Sequence, residues 1–267
     1  MKQETSAWLQ TQRLLAHQQP ERPRHGLSVE GELIGSIEES LVGQLGADAL
    51  KQYGLELHWR NDTWVLDGQA DCTLRLNQLA KLMRAQGLAG AWRDEQLLVC
   101  NAAGLKMATI ERGAVRPLGI ATHAVHLVGY GEDGALWVQQ RSEDKANNPG
   151  MWDTLMGGMV SAQDSLPEAL ARETWEEAGL HLTELAQVAH GGSIEFSRPS
   201  DEAEGQGYMV ERIDWFSALV PDVLQPVNQD GEVQRFERLT LSALEDWLVQ
   251  GRFTPEASLV LASYMGW

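Results

Sequence analysis

From Gly157 to Leu180 the chain reads GGMVSAQDSLPEALARETWEEAGL. Ser165 followed by Glu168 has the form of a capping box, and Pro167 suits the first turn of a helix. Gly179 after Ala178 offers a left-handed stop. Between them stand Glu168, Ala169, Leu170, Ala171, Arg172 and Glu173, all good helix formers. One helix is therefore expected, with Glu173, Glu176 and Glu177 near its end. Their i, i+3, i+4 spacing puts the three carboxylates on one face. Leu166, Ala169 and Leu170 are left to be buried.

Carboxylates packed this closely repel one another, and a divalent cation is an economical reason to keep them. Oxygen-only ligands suit a hard ion, Mg²⁺ or Mn²⁺. Mg²⁺ usually keeps several waters and is shared with substrate phosphates, so a bound water could attack phosphorus. Gly157 and Gly158 let a loop pass close to the metal or a phosphate. Arg172 lies four residues before Glu176 and can pair with it. Most Glu-rich helices are only solvated faces, so the spacing of the whole stretch has to decide.

That spacing resembles the Nudix box: G, five residues, E, seven residues, R-E-U, one residue, E-E, one residue, G-U, with U bulky and apolar. Gly158, Arg172, Glu173, Glu176, Glu177, Gly179 and Leu180 fall on the pattern. Asp164 stands where the box has its first Glu, and Thr174 where it has a bulky apolar residue. In the family that Glu supports the loop more than it holds metal, so activity is expected to survive. Trp175 is expected to make up part of the packing lost at Thr174. The resemblance implies an α/β fold, a Nudix α/β/α sandwich with a mixed sheet over residues 117–267. A smaller α+β domain of uncharacterised type is expected over residues 1–116.

The resemblance extends to IERGAVRPLGIATHAVHLVG (Ile110–Gly129), to Lys145, Pro149 and Asp153, and to DGEV at Asp230–Val233. These look like the branch that includes the Nudix part fused to thiamine pyrophosphokinase. AWRDEQLLV (Ala91–Val99) resembles the end of that branch's N-terminal domain. The implied activity is metal-dependent cleavage of a small organic diphosphate to the monophosphate, with thiamine diphosphate or its damaged analogues as substrate. Glu173, Glu176 and Glu177 would hold the metal. Glu232 would act as a further ligand or general base, as a loop Glu does in many members.

The chain has 267 residues, a formal charge of −17 and a pI near 4.8. An acidic surface argues against nucleic acid and against anionic membranes. Cys72 and Cys100 make no disulfide framework and are expected as buried thiols. No secretory signal or membrane-length apolar run is seen, so a cytoplasmic location is expected. A homodimer is left open.

Along the chain, residues 5–18 read as an amphipathic helix. LELHWR and TWVLDG read as a hairpin across Asn61 and Asp62, and CTLRLNQLAKLMRAQGLAG as a helix ending at Gly87. THAVHLVGYGEDGALWVQQRS reads as two strands joined at Gly131–Gly134. A short strand is expected at Trp152–Met156, further strands at Leu185–His190 and Ile213–Val220, and helices at Ser242–Gln250 and Pro255–Ser263. The stretch from Gly191 to Gly207 is expected as the loop that meets the substrate's organic half.

Arg141 and Lys145 are candidates to hold the diphosphate, Arg as a fork and Lys as a point charge. Arg198 and Arg212 are weaker ones. Trp152 is a candidate to stack on substrate, as are Trp137 and Trp215, although tryptophans more often fill cores. His123 and His126 lie three apart in a strand and so face opposite ways. Three functions differ in what they require. A hydrolase needs the box carboxylates, which are present. A non-catalytic ligand sensor would typically have lost some. An isopentenyl-diphosphate isomerase needs a cysteine in the catalytic domain, and both cysteines precede residue 101. Nucleotide-type diphosphates remain an alternative substrate class.

Overall fold

The computed structural model describes residues 2–145, 147–200 and 207–267. Helix α1 (Lys2–Ala16) leads into β1 (Arg24–Val29), β2 (Glu32–Glu38), α2 (Glu39–Leu45), α3 (Ala47–Gln52), β3 (Leu55–Arg60), β4 (Thr63–Gly68) and α4 (Cys72–Ala85). β5 (Gln96–Cys100) and β6 (Lys106–Glu111) pair as a hairpin. The second half holds β7 (Ala121–Tyr130), β8 (Leu136–Arg141), β9 (Trp152–Asp153), β10 (Met156–Met159) and α5 (Leu166–Ala178). It closes with β11 (Ala186–Ser200), β12 (Gly207–Leu219), β13 (Val233–Leu239), α6 (Leu241–Val249) and α7 (Pro255–Tyr264).

In the first half a sheet of order β2-β1-β4-β3 packs on α4. Leu27, Ile37 and Leu66 from the sheet meet Leu76, Leu79 and Met83 from the helix in one buried cluster. The β3–β4 hairpin turns at Asn61 and Asp62, whose φ of 50° and 56° are the left-handed values such a two-residue turn requires.

In the second half the sheet order is β11-β12-β7-β8-β13, with β10 added to β7 and β9 to β8. β7 and β12 run parallel and the other pairs antiparallel, so the sheet is mixed. Alternation along β7 divides its residues between two cores. Val125 and Leu127 join Ala169 and Leu170 of α5 in one. Ala124 and Val128 join Leu244 of α6 and Val260 of α7 in the other. The layers are helix, sheet, helix, as expected. α1 belongs to this second core: Leu9 and Ala16 are buried in it, Trp8 meets Trp267 edge-on at 5.8 Å, and the Gln18 N–H donates to the Ser197 carbonyl at 2.8 Å.

Strands β1, β2, β6 and β13 form where none is expected. Two expectations need correction. The strand expected at Trp152–Met156 is two, because β9 pairs with β8 while β10 pairs with β7. The expected substrate loop from Gly191 to Gly207 is instead the continuation of β11 to Ser200 and the start of β12, with residues 201–206 outside the described residues. The alternation in Ser193-Ile194-Glu195-Phe196, paired with Asp214 to Glu211, is what keeps this stretch extended.

Candidate functional site

The capping box at Ser165 and Glu168 forms, and Gly179 ends α5 at φ 62°, so the helix has the expected limits. α5 lies against β10, whose two glycines fit two different neighbours. A Cβ on Gly157 would come within 2.6 Å of the His126 ring on one face of the sheet. A Cβ on Gly158 would fall 2.0 Å from the Glu173 carboxyl carbon on the other. The bare strand is what lets the Glu173 carboxylate sit down on the sheet.

Glu177 lies one helical turn on and is 1% exposed. Its Oε2 accepts from the Gly157 N–H at 3.0 Å and from the Gln139 amide at 2.8 Å. Lys145 Nζ stands 3.7 Å from its Oε1 and also contacts Glu232. Gln139 Oε1 is buried with no hydrogen-bond partner. Burial pushes the Glu177 carboxyl above the usual range against the pull of Lys145. Burial, and then the nearby Glu177 charge, push Glu173 up to about 7. Burial lowers Lys145 despite its acidic neighbours.

Arg172 gathers the rest. Its Nη1 donates to Glu173 Oε1 and Glu176 Oε2, both at 2.9 Å, its Nε to Asp164 Oδ2 at 2.9 Å, and its Nη2 to the Met159 carbonyl at 3.2 Å. Burial works against the Arg172 charge, but these carboxylates outweigh it and raise its pKa further. The shorter Asp164 still reaches the guanidinium. Thr174 is fully buried and satisfies its hydroxyl on the Leu170 carbonyl at 2.6 Å. Trp175 does not compensate for it: the indole is 42% exposed and stacks on His181 at 4.4 Å.

The structure thus brings together Arg172, Glu173, Glu176, Glu177, Lys145, Glu232, Gly157 and Gly158. The other candidates are buried or already paired. Trp152 is 6% exposed and packs 4.9 Å from Trp247 in the core beneath α7, so no ring face is left for a heterocycle. Trp137 and Trp215 are buried as well. Arg141 is held by Asp153 Oδ2 at 3.4 Å and by the Asn147 carbonyl. Arg198 pairs with Glu256 at 3.0 Å. His126 is a buried histidine bonded to Thr154 at 3.0 Å, whereas His123, on the opposite face, meets Asp214. Cys72 is buried and Cys100 partly so, both outside this site.

Two supporting residues were not anticipated as part of the site. Gln139 positions Glu177, and Asp153 is buried between Arg141, Thr154 and Thr254. Two glutamines after the apolar start of β8, Gln139 and Gln140, were the available signal for the first.

Among the described residues, no three His, Cys, Asp or Glu side chains stand in metal-ligand geometry, with Arg172 and Lys145 lying between the carboxylates. The donor set nevertheless fits a hard cation. It is all oxygen, includes one buried and one largely buried carboxyl, both destabilised as anions, and has an unpartnered amide oxygen beside them.

Residues 121–257 match the model of the NUDIX domain. The chain belongs to the Nudix family. Nudix hydrolase 24, chloroplastic, of Arabidopsis thaliana is 26% identical over 92% of this chain and 70% of its own length. The Saccharomyces cerevisiae protein YJR142W, itself uncharacterised, is 27% identical over 71% of this chain and 60% of its own length. The crystal structure of DR0079 from Deinococcus radiodurans superposes on this Nudix protein with a TM-score of 0.51 at 22% identity, covering 64% of this chain and 99% of that one. That likeness is one of fold. No helix among the described residues is long and apolar enough to cross a membrane.

Proposed function

We propose that the protein hydrolyses the diphosphate bond of a small organic diphosphate, releasing the monophosphate. The observation that carries this is the placement of Glu173 and Glu177. Two carboxylates one helical turn apart are pressed onto β10 where glycine leaves room, and burial opposes the charge of both.

Glu173, Glu176 and Glu177 would hold Mg²⁺ or Mn²⁺. A divalent ion there supplies charge neutralisation for the diphosphate and lowers the pKa of a bound water. The chain's own residues do the rest. Gly157 N–H and Gln139 fix one Glu177 oxygen and leave the other toward Lys145. Arg172 fixes Glu173 and Glu176 and ties them to the loop through Asp164. Lys145 offers a point charge to phosphate oxygens. Glu232 is 44% exposed beside it and would take a proton from an attacking water or complete the ligand set.

Thiamine diphosphate and its oxidised analogues are the substrates to test first, because Ile110–Gly129 and Asp230–Val233 resemble the thiamine-related branch. Incubation with Mg²⁺ and a panel of these, nucleoside triphosphates, ADP-ribose and dinucleoside polyphosphates should release phosphate or a monophosphate from at least one. Tight binding of one compound with cleavage of none would make the protein a sensor instead. A preference for the nucleotide arm would displace thiamine.

A further inference from the structure

A second group of charges stands on the face of the sheet that carries α5. Asp214 of β12 is 3% exposed and both of its oxygens are taken. Oδ2 is bonded to His123 Nε2 at 2.5 Å and Arg212 Nε at 2.9 Å; Oδ1 is bonded to His190 Nε2 at 2.8 Å and Arg212 Nη2 at 3.3 Å. His190 and Arg212 are about half exposed, and His123 about a third. Burial opposes the Asp214 charge, but its three partners outweigh burial and hold the carboxyl well below the usual range.

The position of this group follows from strand register. His123 shares a face of β7 with Val125, and Val125 is the partner of Gly158, over which the Glu173 carboxylate lies. Two residues along a strand span about 6–7 Å, so His123 flanks the proposed metal site on the same face. His190 comes from the far strand, and a bulge at Gly191 aims it there. A side chain at Gly191 would strike the Trp215 ring at 2.0 Å, so the bulge needs glycine. Phe216 meets the His190 ring edge-on at 5.2 Å and steadies it.

With both Asp214 oxygens taken, Arg212 keeps its Nη1 to donate outward, and His123 and His190 in their imidazolium form would each donate from Nδ1. Glu195, opposite Arg212 on β11, is the acidic neighbour on that side. Arg172, by contrast, is already committed to the box carboxylates, and Lys145 is shared with Glu177 and Glu232.

We propose that His123 and His190, oriented by Asp214 and joined by Arg212, form an anion subsite that takes a phosphoryl group of the diphosphate. The location rests on the hydrolase reading; the binding itself does not need turnover.

The test is titration of the metal-free full chain with inorganic pyrophosphate, followed by NMR of the histidine ring C–H groups. The rings of His123 and His190 should shift and that of His58, remote on β3, should not. His123→Ala with His190→Ala should weaken pyrophosphate by about tenfold, the worth of a charge-assisted hydrogen bond. In turnover assays the same pair should raise KM by that factor with kcat within about twofold, and His190→Gln, which keeps a donor, should restore part of it. Unshifted histidine rings on saturation with pyrophosphate would overturn the subsite while leaving the hydrolase reading intact. Shifted rings in a protein that cleaves no diphosphate would support the subsite and overturn the hydrolase reading alone.

Discussion

The Glu173 carboxylate occupies the space that a side chain at Gly158 would need: an added Cβ would lie 2.0 Å from its Cδ. Gly158→Ala must therefore displace the carboxylate or the strand. A displacement of about 1 Å at a reacting centre can cost about 100-fold in rate. Turnover of Gly158→Ala should fall by that order while its circular dichroism spectrum stays that of the wild type. Wild-type kcat in this variant would contradict the placement of Glu173.

Trp152 is treated by the fold as core. Trp152→Phe should lower stability by about 1–2 kcal/mol through lost packing against Trp247, and leave KM unchanged. Thermal melts and steady-state kinetics on the same preparation check both halves. A raised KM at unchanged Tm would return Trp152 to the substrate site.

Arg116 and Glu211 form a buried pair at 2.6 Å, with Thr122 donating to the same carboxylate oxygen at 2.8 Å. Burial works against the Glu211 charge, but Arg116 and then Thr122 outweigh it and hold the carboxyl below its usual range. A depressed folded-state pKa adds stability above the unfolded value of about 4.3 and loses it as pH falls through the folded value. Arg116→Met leaves the buried carboxylate without its partner and should cost about 3–5 kcal/mol at neutral pH. The loss should shrink as pH falls from neutral toward 4, because burial makes the variant's Glu211 take up a proton above its unfolded value while the wild-type carboxylate stays ionised. Melting curves across that range decide it, and a deficit independent of pH would contradict the role of the pair.

Thr174 departs from the Nudix box without leaving an unsatisfied group, since its hydroxyl is bonded to the Leu170 carbonyl. Thr174→Val, which keeps the shape, should change stability by no more than about 1 kcal/mol and leave turnover unchanged. Thr174→Leu should destabilise by about 1–3 kcal/mol, because the position is already filled. Chemical denaturation of both variants measures this.

The parts of the molecule legible in the sequence were those with local causes. α5 was readable because Ser165, Glu168, Pro167 and Gly179 act within their own turns. The β3–β4 hairpin was readable because Asn61 and Asp62 accept left-handed φ. What escaped depends on pairing. β11 looked like loop because its glycines serve a bulge across from Trp215 and not a turn. Within the site, the carboxylates of α5 followed from spacing, and Glu232 with Lys145 from position. Gln139 and Asp153 did not, because their importance lies in what β8 and β9 face once paired. The grouping of His123, His190 and Arg212 on Asp214 joins three strands and leaves no mark on any one of them.

In the proposed reaction α5 supplies the carboxylates for diphosphate hydrolysis. The most direct measurement is product release from the diphosphate panel with Mg²⁺, comparing the wild type with Glu173→Gln and Glu176→Gln. We expect cleavage of at least one compound by the wild type, its loss on chelation of the metal, and its near abolition in both folded variants. Equal turnover by the wild type and the variants, or cleavage that persists without a divalent ion, would contradict the account.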